Sequence, residues 1–220
     1  MVIPKVLFQT SRETPSALHT RHMAGWLAPD WTYRHFSDAA VINYLHAHPL
    51  AAFPDIVAKY TAMPTGAHKA DLFRYYYIYL EGGVFLDWDA KLCQPMARIA
   101  DGRRFFSVRS SYSPGAIFQG FIGAAARSEI IMAALQDCYD IDVEFLRQHY
   151  HQLCMNLTGF IAPHLNGRDV VLFNEAKHGR GVAKVTDPRG DVLALHYFSK
   201  KRVPRRVQYF DLLQQRVWGG

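Results

Sequence analysis

The sequence contains few cysteines, no long apolar run and no recognisable leader. Cys93, Cys138 and Cys154 stand far apart without a CxxC spacing, which argues against a disulfide framework and against a thiolate zinc site. No apolar run reaches the roughly 18–20 residues that span a bilayer, and the first residues lack the charged-then-apolar order of a signal peptide. We therefore expect reduced thiols and a cytoplasmic protein that contacts a membrane, if at all, from its inner face.

Acidic residues are also fewer than basic ones. The 220 residues include 25 Lys and Arg against 19 Asp and Glu, which gives a formal charge of +6 and a pI near 9.3. This balance suits an anionic partner such as a nucleotide sugar, acidic lipid or nucleic acid. Neither a zinc-finger spacing nor an RNA-binding aromatic signature is present, so we expect no nucleic-acid partner. The hydrophobic half of the chain is enough to fold residues 1–220 as one domain.

Hydrophobic patterns and turn residues predict alternating helices and strands. The predicted strands cover residues 5–9, 31–36, 84–86, 104–108, 116–122, 170–173 and 192–197. The predicted helices run from Thr14-Pro15 towards Trp26, and over residues 38–46, 65–81 and 128–149. This alternation indicates an α/β layered domain with a mostly parallel sheet. In such sheets ligands bind beyond the carboxyl ends of the strands.

Two carboxylates stand at such a strand end. Asp87 and Asp89 flank Trp88 directly after the apolar residues 84–86. Carboxylates at this spacing can both reach one hard cation, and Mg²⁺ and Mn²⁺ prefer oxygen ligands. Taken alone, an Asp-x-Asp is more often a turn with a helix cap than a metal site.

The preceding helix carries a second charged pair. Asp71 and Arg74 lie three residues apart and therefore share one helix face. Tyr75, Tyr76 and Tyr77 follow, so much of this helix should be buried. A surface ion pair is the plain alternative, but buried charges need partners, which makes these two residues candidates for a binding site. The carboxylate can accept hydrogen bonds from sugar hydroxyls, and the guanidinium can bind sugar or phosphate oxygens.

These residues together resemble one family. His68-Lys69-Ala70-Asp71-Leu72-Phe73-Arg74-Tyr75, followed by Leu80-Glu81-Gly82-Gly83-Val84-Phe85-Leu86-Asp87-Trp88-Asp89, is similar to the sugar-binding region with DXD motif of glycosyltransferase family 32. That family includes yeast Golgi mannosyltransferases and many bacterial polysaccharide enzymes. The start, Ile3-Pro4-Lys5-Val6-Leu7-Phe8-Gln9-Thr10, is similar to the family's opening strand. The match is strongest over about residues 65–91, and weaker similarity extends from residue 3 to about residue 200.

The resemblance implies a GT-A fold, Mn²⁺ or Mg²⁺ and a nucleotide-diphosphate sugar donor such as UDP- or GDP-hexose. It also implies retention of the anomeric configuration. The residues implied in catalysis are Asp71, Arg74, Asp87 and Asp89. The residues implied in donor binding are Phe8, Gln9, Thr10, Asp71, Arg74, Asp87 and Trp88.

Three further segments resemble parts of the family pattern. Gln119 stands where the family usually has Asn, which makes it an acceptor-side candidate. Thr158-Gly159-Phe160 resembles a Thr-Gly-Pro helix start, with Phe in place of Pro. His196, at the end of a predicted strand, resembles a C-terminal histidine that serves as a further metal ligand beside Asp87 and Asp89. We leave His68 out of the site because it can cap the first turn of its helix.

A basic segment closes the sequence. Residues 200–206 carry five positive charges in seven positions, within a C-terminal stretch that we assign to residues 200–220. A solvated basic surface is the ordinary interpretation. Attraction to anionic lipid or to a lipid-linked acceptor is the functional one, and each charge near a membrane contributes about 1 kcal/mol.

The expected function is metal-dependent, retaining transfer of a hexose from a nucleotide-diphosphate sugar to a glycan or glycolipid. One alternative is a haloacid-dehalogenase-like phosphatase with Asp87 as nucleophile, although Ala90-Lys91 does not continue that motif. A catalytically inactive carbohydrate-binding relative is the other alternative.

Overall fold

The structure is a computed structural model, and it describes residues 2–12, 14–179 and 181–198. The basic segment of residues 200–220 lies outside the described residues. Among those residues, no helix is long and apolar enough to cross a membrane. Cys93, Cys138 and Cys154 are all free thiols.

Helices and strands alternate along the chain. The helices are α1 (Ala17–Gly25), α2 (Asp38–Ala47), α3 (Ile56–Ala62), α4 (Gly66–Glu81), α5 (Met96–Ala100), α6 (Glu129–Asp140), α7 (Val143–Gln148) and α8 (Gln152–Ile161). A short 3₁₀ helix, Ala162–His164, follows α8. The strands are β1 (Val6–Thr10), β2 (Thr32–Phe36), β3 (Gly83–Leu86), β4 (Ala90–Leu92), β5 (Phe105–Arg109), β6 (Ile117–Ala124), β7 (Val170–Gly179), β8 (Val182–Thr186) and β9 (Val192–His196).

The described strands form one mixed sheet in the order β2-β1-β3-β6-β5-β7-β8-β9-β4. The α/β class is confirmed, but the sheet is less parallel than the alternation of elements predicts. β1 pairs in parallel with β2 and β3, and β5 pairs in parallel with β7. The other described pairings, β3–β6, β4–β9, β5–β6, β7–β8 and β8–β9, are antiparallel. These strands pair antiparallel because hairpins or long connections that reverse direction join them, instead of crossover helices.

Local capping explains where the helices differ from their predicted limits. Ser16 caps α1 by accepting a hydrogen bond from the His19 N–H, so the helix begins after Pro15 and not at it. The predicted helix 128–149 is two helices, because Asp142 has extended backbone angles and caps α7. Thr158-Gly159-Phe160 lies in the last turn of α8 and does not begin a helix.

The central helix α4 packs on one face of the sheet and is buried along most of its length. Thr65 caps it, accepting from the His68 N–H, as the sequence predicts. Tyr75, Tyr76 and Tyr77 are fully buried in the aromatic core between this helix and the sheet. The charged residues Asp71 and Arg74 belong to this buried stretch, whereas Glu81 at the end of α4 is exposed.

Candidate active site

The Gly82-Gly83 turn sets the position of Asp87. Gly82 has φ +70° and Gly83 has φ +111°, in the region of positive φ that favours glycine. A Cβ on Gly82 would lie 2.6 Å from the Pro4 ring and 2.7 Å from the Ala126 nitrogen. The chain therefore reverses tightly from α4 into β3, whose residues are all buried. Asp87 follows at the carboxyl end of β3, and its N–H donates to the Gly120 carbonyl at 2.6 Å.

Arg74 joins the two pairs of charges that the sequence singles out. Its Nη2 lies 3.2 Å from Asp71 Oδ1 and 3.3 Å from Asp87 Oδ1, and its side chain is 4% exposed. Its guanidinium also lies 4.1 Å from the centroid of the Phe85 ring. Burial opposes the charge on Arg74, but Asp71 and Asp87 outweigh it and raise the pKa of the guanidinium. This cation is therefore a permanent positive charge in the floor of the site.

The ionised form of Asp71 depends on the neighbouring charge of Arg74. Its side chain is 10% exposed, and burial raises the pKa of its carboxyl while the charge of Arg74 works in the opposite direction. Removing Arg74 alone would leave a buried carboxylate without its nearest counter-charge. The Asp71–Arg74 pair is thus a buried unit that faces a cleft, and not a surface ion pair.

The side chains of Asp87, Asp89 and His196 lie close together. Each offers a ligand atom, and the three atoms lie within 4.8 Å of one another. His196 Nε2 lies 3.8 Å from Asp89 Oδ1. Strands β4 and β9 make this meeting possible, because they pair antiparallel with Ala90 opposite His196. Two carboxylates and an imidazole are a donor set that fits Mn²⁺ or Mg²⁺ with substrate oxygens completing the coordination.

Glu175 supports His196 from behind and was missed by sequence reasoning. His196 Nδ1 lies 3.2 Å from Glu175 Oε1, and the glutamate side chain is 1% exposed. Glu175 Oε2 also accepts from the Ser111 N–H at 2.9 Å and from the Ser111 hydroxyl at 3.1 Å. Burial tends to raise the pKa of Glu175, but the His196 hydrogen bond and Ser111 reverse that and lower it. A charged carboxylate on Nδ1 directs Nε2 of the ring towards the Asp87–Asp89 group.

A buried hydrogen-bond network holds the main chain of the Asp-x-Asp motif at Asp87. Gln9 Nε2 donates to the Asp87 carbonyl at 3.0 Å, while Gln9 Oε1 accepts from the Tyr33 hydroxyl at 2.9 Å. His19 Nε2 lies 2.7 Å from the same Oε1, which only accepts, so His19 donates from Nε2. The His19 ring also stacks on Trp88 with centroids 4.1 Å apart. Burial, followed by the charge of Lys91, lowers the pKa of His19 to about 4, so this ring is neutral at pH 7.

Gly120 and Gln119 form the opposite wall. A Cβ at Gly120 would collide with Asp87 Oδ2 and with the Phe118 ring, so this position must lack a side chain. Gln119 is 2% exposed and accepts a hydrogen bond from the buried Tyr75 hydroxyl through Oε1. Its Nε2 has no hydrogen-bond partner among the described residues.

One cleft of about 660 Å³ contains this chemistry. Of the residues predicted from sequence, it is lined by Thr10, Asp71, Arg74, Asp87, Trp88, Asp89, Gln119 and His196. Phe8 and Gln9 are placed elsewhere. Phe8 is fully buried in the aromatic core against Phe85, and Gln9 is a buried support for Asp87, so neither lines the cleft. His68 lines it, but its Nδ1 lies 3.2 Å from the capping hydroxyl of Thr65.

Comparison with known proteins agrees with this geometry. Residues 17–106 match the family model described as "Glycosyltransferase sugar-binding region containing DXD motif". Residues 17–106 are therefore similar to the sugar-binding region of this glycosyltransferase family. The matched range includes Asp71, Arg74, Asp87 and Asp89 and ends before Gln119.

Proteins similar to the chain include a yeast mannosyltransferase and a solved glycosyltransferase. The initiation-specific alpha-1,6-mannosyltransferase of Saccharomyces cerevisiae is 29% identical over 102 residues, which cover 43% of this chain and 21% of the yeast protein. The aligned part is thus about a fifth of that relative. The solved PaToxG glycosyltransferase superposes with a TM-score of 0.50 at 15% identity, over 76% of this chain and 71% of that chain. This likeness confirms the expected GT-A fold.

Proposed function

We propose that the chain is a metal-dependent, retaining glycosyltransferase that moves a hexose from a nucleotide-diphosphate sugar to a glycan or glycolipid. The observation that carries the proposal is the meeting of Asp87, Asp89 and His196 within 4.8 Å, beside the buried Asp71–Arg74 pair. The family match supports sugar transfer over the phosphatase alternative. The yeast relative's name suggests mannose as the first sugar to test.

Each group has a task in this reaction. Asp87, Asp89 and His196 would hold Mn²⁺ or Mg²⁺, which when bound neutralises charge on the leaving diphosphate. Arg74 supplies a fixed positive charge for sugar or phosphate oxygens, and Asp71 accepts from sugar hydroxyls. Thr10 and Trp88 line the nucleotide side of the cleft. Gln119, which lines the cleft, is assigned to the acceptor side.

Retention on this scaffold favours substitution on the same face of the sugar. A covalent glycosyl intermediate needs a carboxylate nucleophile that is available to attack. Five carboxylates line the described part of the cleft. In this proposal Asp87 and Asp89 hold the metal, Asp71 pairs with Arg74, Glu175 pairs with His196, and Asp38 accepts from Tyr60. We therefore propose that a leaving phosphate oxygen takes the proton of the acceptor hydroxyl while that hydroxyl attacks the anomeric carbon.

A donor panel tests the proposal. GDP-mannose, UDP-glucose, UDP-galactose and UDP-N-acetylglucosamine are incubated with the protein and Mn²⁺, and release of nucleoside diphosphate is measured. We expect release from one donor and its loss with chelator. A panel with no released diphosphate, and no Mn²⁺-dependent thermal stabilisation by any donor, would favour the inactive relative. Release of inorganic phosphate from phosphomonoesters without sugar transfer would favour the phosphatase.

Location and membrane contact are part of the proposal. We infer a cytoplasmic protein whose basic residues 200–206 attract the anionic inner face of the membrane, in keeping with the free thiols and the charge of +6. Loss of sedimentation with phosphatidylserine vesicles after these residues are changed to Ser would support it.

A further inference from the structure

Four rings form a continuous wall from the metal-ligand group to the cleft mouth. The Phe118 ring stacks on His196 with centroids 4.2 Å apart and an interplanar angle of 23°. The Phe198 ring lies 5.9 Å from His196, and the Tyr112 ring lies 4.4 Å from Phe198. All four line the cleft. We call Tyr112, Phe118, His196 and Phe198 the aromatic wall.

The wall is built from other elements than those around the predicted nucleotide pocket. Trp88 contacts His19 and His35, next to β1 and β2 at one end of the sheet order. Tyr112 follows β5, Phe198 follows β9, and both lie beyond β3 and β6 in that order. A donor whose diphosphate sits at Asp87 and Asp89, with its base near Trp88, leaves the wall for another molecule.

The outer end of the wall meets solvent and polar groups. Tyr112 is 41% exposed, although aromatic side chains are costly to leave in water. Lys177 Nζ lies 5.4 Å from the centroid of the Tyr112 ring. Ser113 and His151 line the same cleft and can exchange hydrogen bonds with hydroxyls. The cleft therefore offers hydrogen-bonding groups as well as flat apolar faces.

We propose that the aromatic wall is the acceptor subsite, and that it binds the pyranose rings of an oligosaccharide with Tyr112 as the outer stacking platform. The inference rests on the proposed transferase function and adds the class of acceptor to it. The apolar C–H face of a sugar ring packs on Tyr112 and Phe198, while its hydroxyls reach Ser113 and His151. His196, at the inner end of the wall, brings the terminal sugar of the acceptor to the donor diphosphate.

An alkyl chain matches this surface less well than a sugar. A lipid tail needs a continuous aliphatic groove and would bury the hydroxyl of Ser113 and the imidazole of His151 without partners. A polyhydroxylated ring satisfies both kinds of group at once. The wall therefore selects the glycan part of an acceptor, whatever that glycan is attached to.

The protein and three variants of it test the subsite. Tyr112→Ala removes the platform and Tyr112→Phe keeps the ring. Phe145→Ala is the matched control, because Phe145 is also 41% exposed and stacks on a histidine, His149, but does not line the cleft. The probes are trisaccharides of mannose, glucose and galactose, together with dodecyl phosphate as a sugar-free amphiphile. Binding is measured by saturation-transfer NMR, and transfer by the acceptor KM with the donor that the panel identifies.

We expect Tyr112→Ala to raise the acceptor KM about tenfold, the effect of losing one stacked ring. The donor KM should change much less. Tyr112→Phe, which keeps the ring, should raise the acceptor KM far less than Tyr112→Ala, and Phe145→Ala should behave like wild type. Equal trisaccharide binding by wild type and Tyr112→Ala would overturn the proposal, as would transfer or binding to dodecyl phosphate alone. Donor turnover without binding of any trisaccharide would also overturn it. Absence of donor turnover refutes the transferase function separately, because the NMR binding still reports on the wall.

Discussion

Glu175 provides the most specific prediction, because nothing in its sequence context marks it. Its carboxylate is 1% exposed, lies 3.2 Å from His196 Nδ1 and accepts the Ser111 N–H and hydroxyl. Glu175→Gln keeps the shape and one acceptor oxygen, but it removes the charge and turns an NH₂ group towards the Ser111 N–H. The His196 ring then keeps at most a neutral, weaker acceptor at Nδ1 and loses the basicity that the carboxylate gives it.

The size of the expected loss in Mn²⁺ affinity follows from the general role of residues that hydrogen-bond to a metal ligand. Loss of a carboxylate behind a ligating histidine typically weakens metal binding about 10- to 100-fold, which corresponds to about 1.4–2.7 kcal/mol. Isothermal titration of Mn²⁺ into the protein with nucleoside diphosphate present measures this directly. The control is Glu144→Gln, because that glutamate is 68% exposed and pairs only with Arg147 among the described contacts of its side chain.

Thermal denaturation shows whether each variant is folded before the titration. Full Mn²⁺ affinity in a folded Glu175→Gln protein would refute the idea that Glu175 orients His196. An equal loss in Glu144→Gln would show instead that the effect is a general one of charge.

Two other predictions concern the walls of the site. Gly120→Ala should displace the Asp87 carboxylate and lower Mn²⁺ affinity and donor turnover at least tenfold. The control Gly159→Ala should leave both unchanged, because a Cβ there meets nothing within 4 Å. Equal behaviour of the two variants would contradict this prediction. His19, with its pKa lowered from 6.5 to about 4, binds a proton more readily in the unfolded chain. Its contribution to stability is therefore present above pH 6.5 and lost as pH falls towards 4, so wild type should lose about 2 kcal/mol more than His19→Gln between pH 7 and pH 5 in urea unfolding. Parallel pH profiles of the two proteins would refute the assignment.

The part of the candidate site formed by α4 and β3 could be predicted because its residues are close in sequence. Thr65, the Gly82-Gly83 turn and the apolar strand are local signals, and they place Asp71, Arg74 and Asp87 correctly on α4 and after β3. The Arg74–Asp87 contact follows directly, because one tight turn joins the two elements. Periodicity alone did not show that Gln9 faces inward to hold Asp87 while Phe8 enters the core.

The rest of the site depends on pairings between distant strands. β4 and β8 were not predicted, and without them the sequence does not show that Ala90 pairs with His196 or that Glu175 stands behind it. β4 is three residues long, too short for a strand pattern to be visible. Similarly, the apolar pattern predicts one long helix, but the chain breaks at Asp142, because a capping side chain there outweighs the continuing apolar period.

The central claim is that Asp87, Asp89 and His196 hold the metal that serves the donor. Its most direct test is calorimetric titration of Mn²⁺ into wild type, Asp89→Asn and the control Asp140→Asn, each with nucleoside diphosphate, followed by donor turnover on the same samples. Asp140 is exposed at the end of α6 and lies outside the residues that line the cleft. The account predicts that Asp89→Asn loses both Mn²⁺ binding and turnover while Asp140→Asn keeps them. A folded Asp89→Asn protein with undiminished Mn²⁺ affinity and turnover would contradict it.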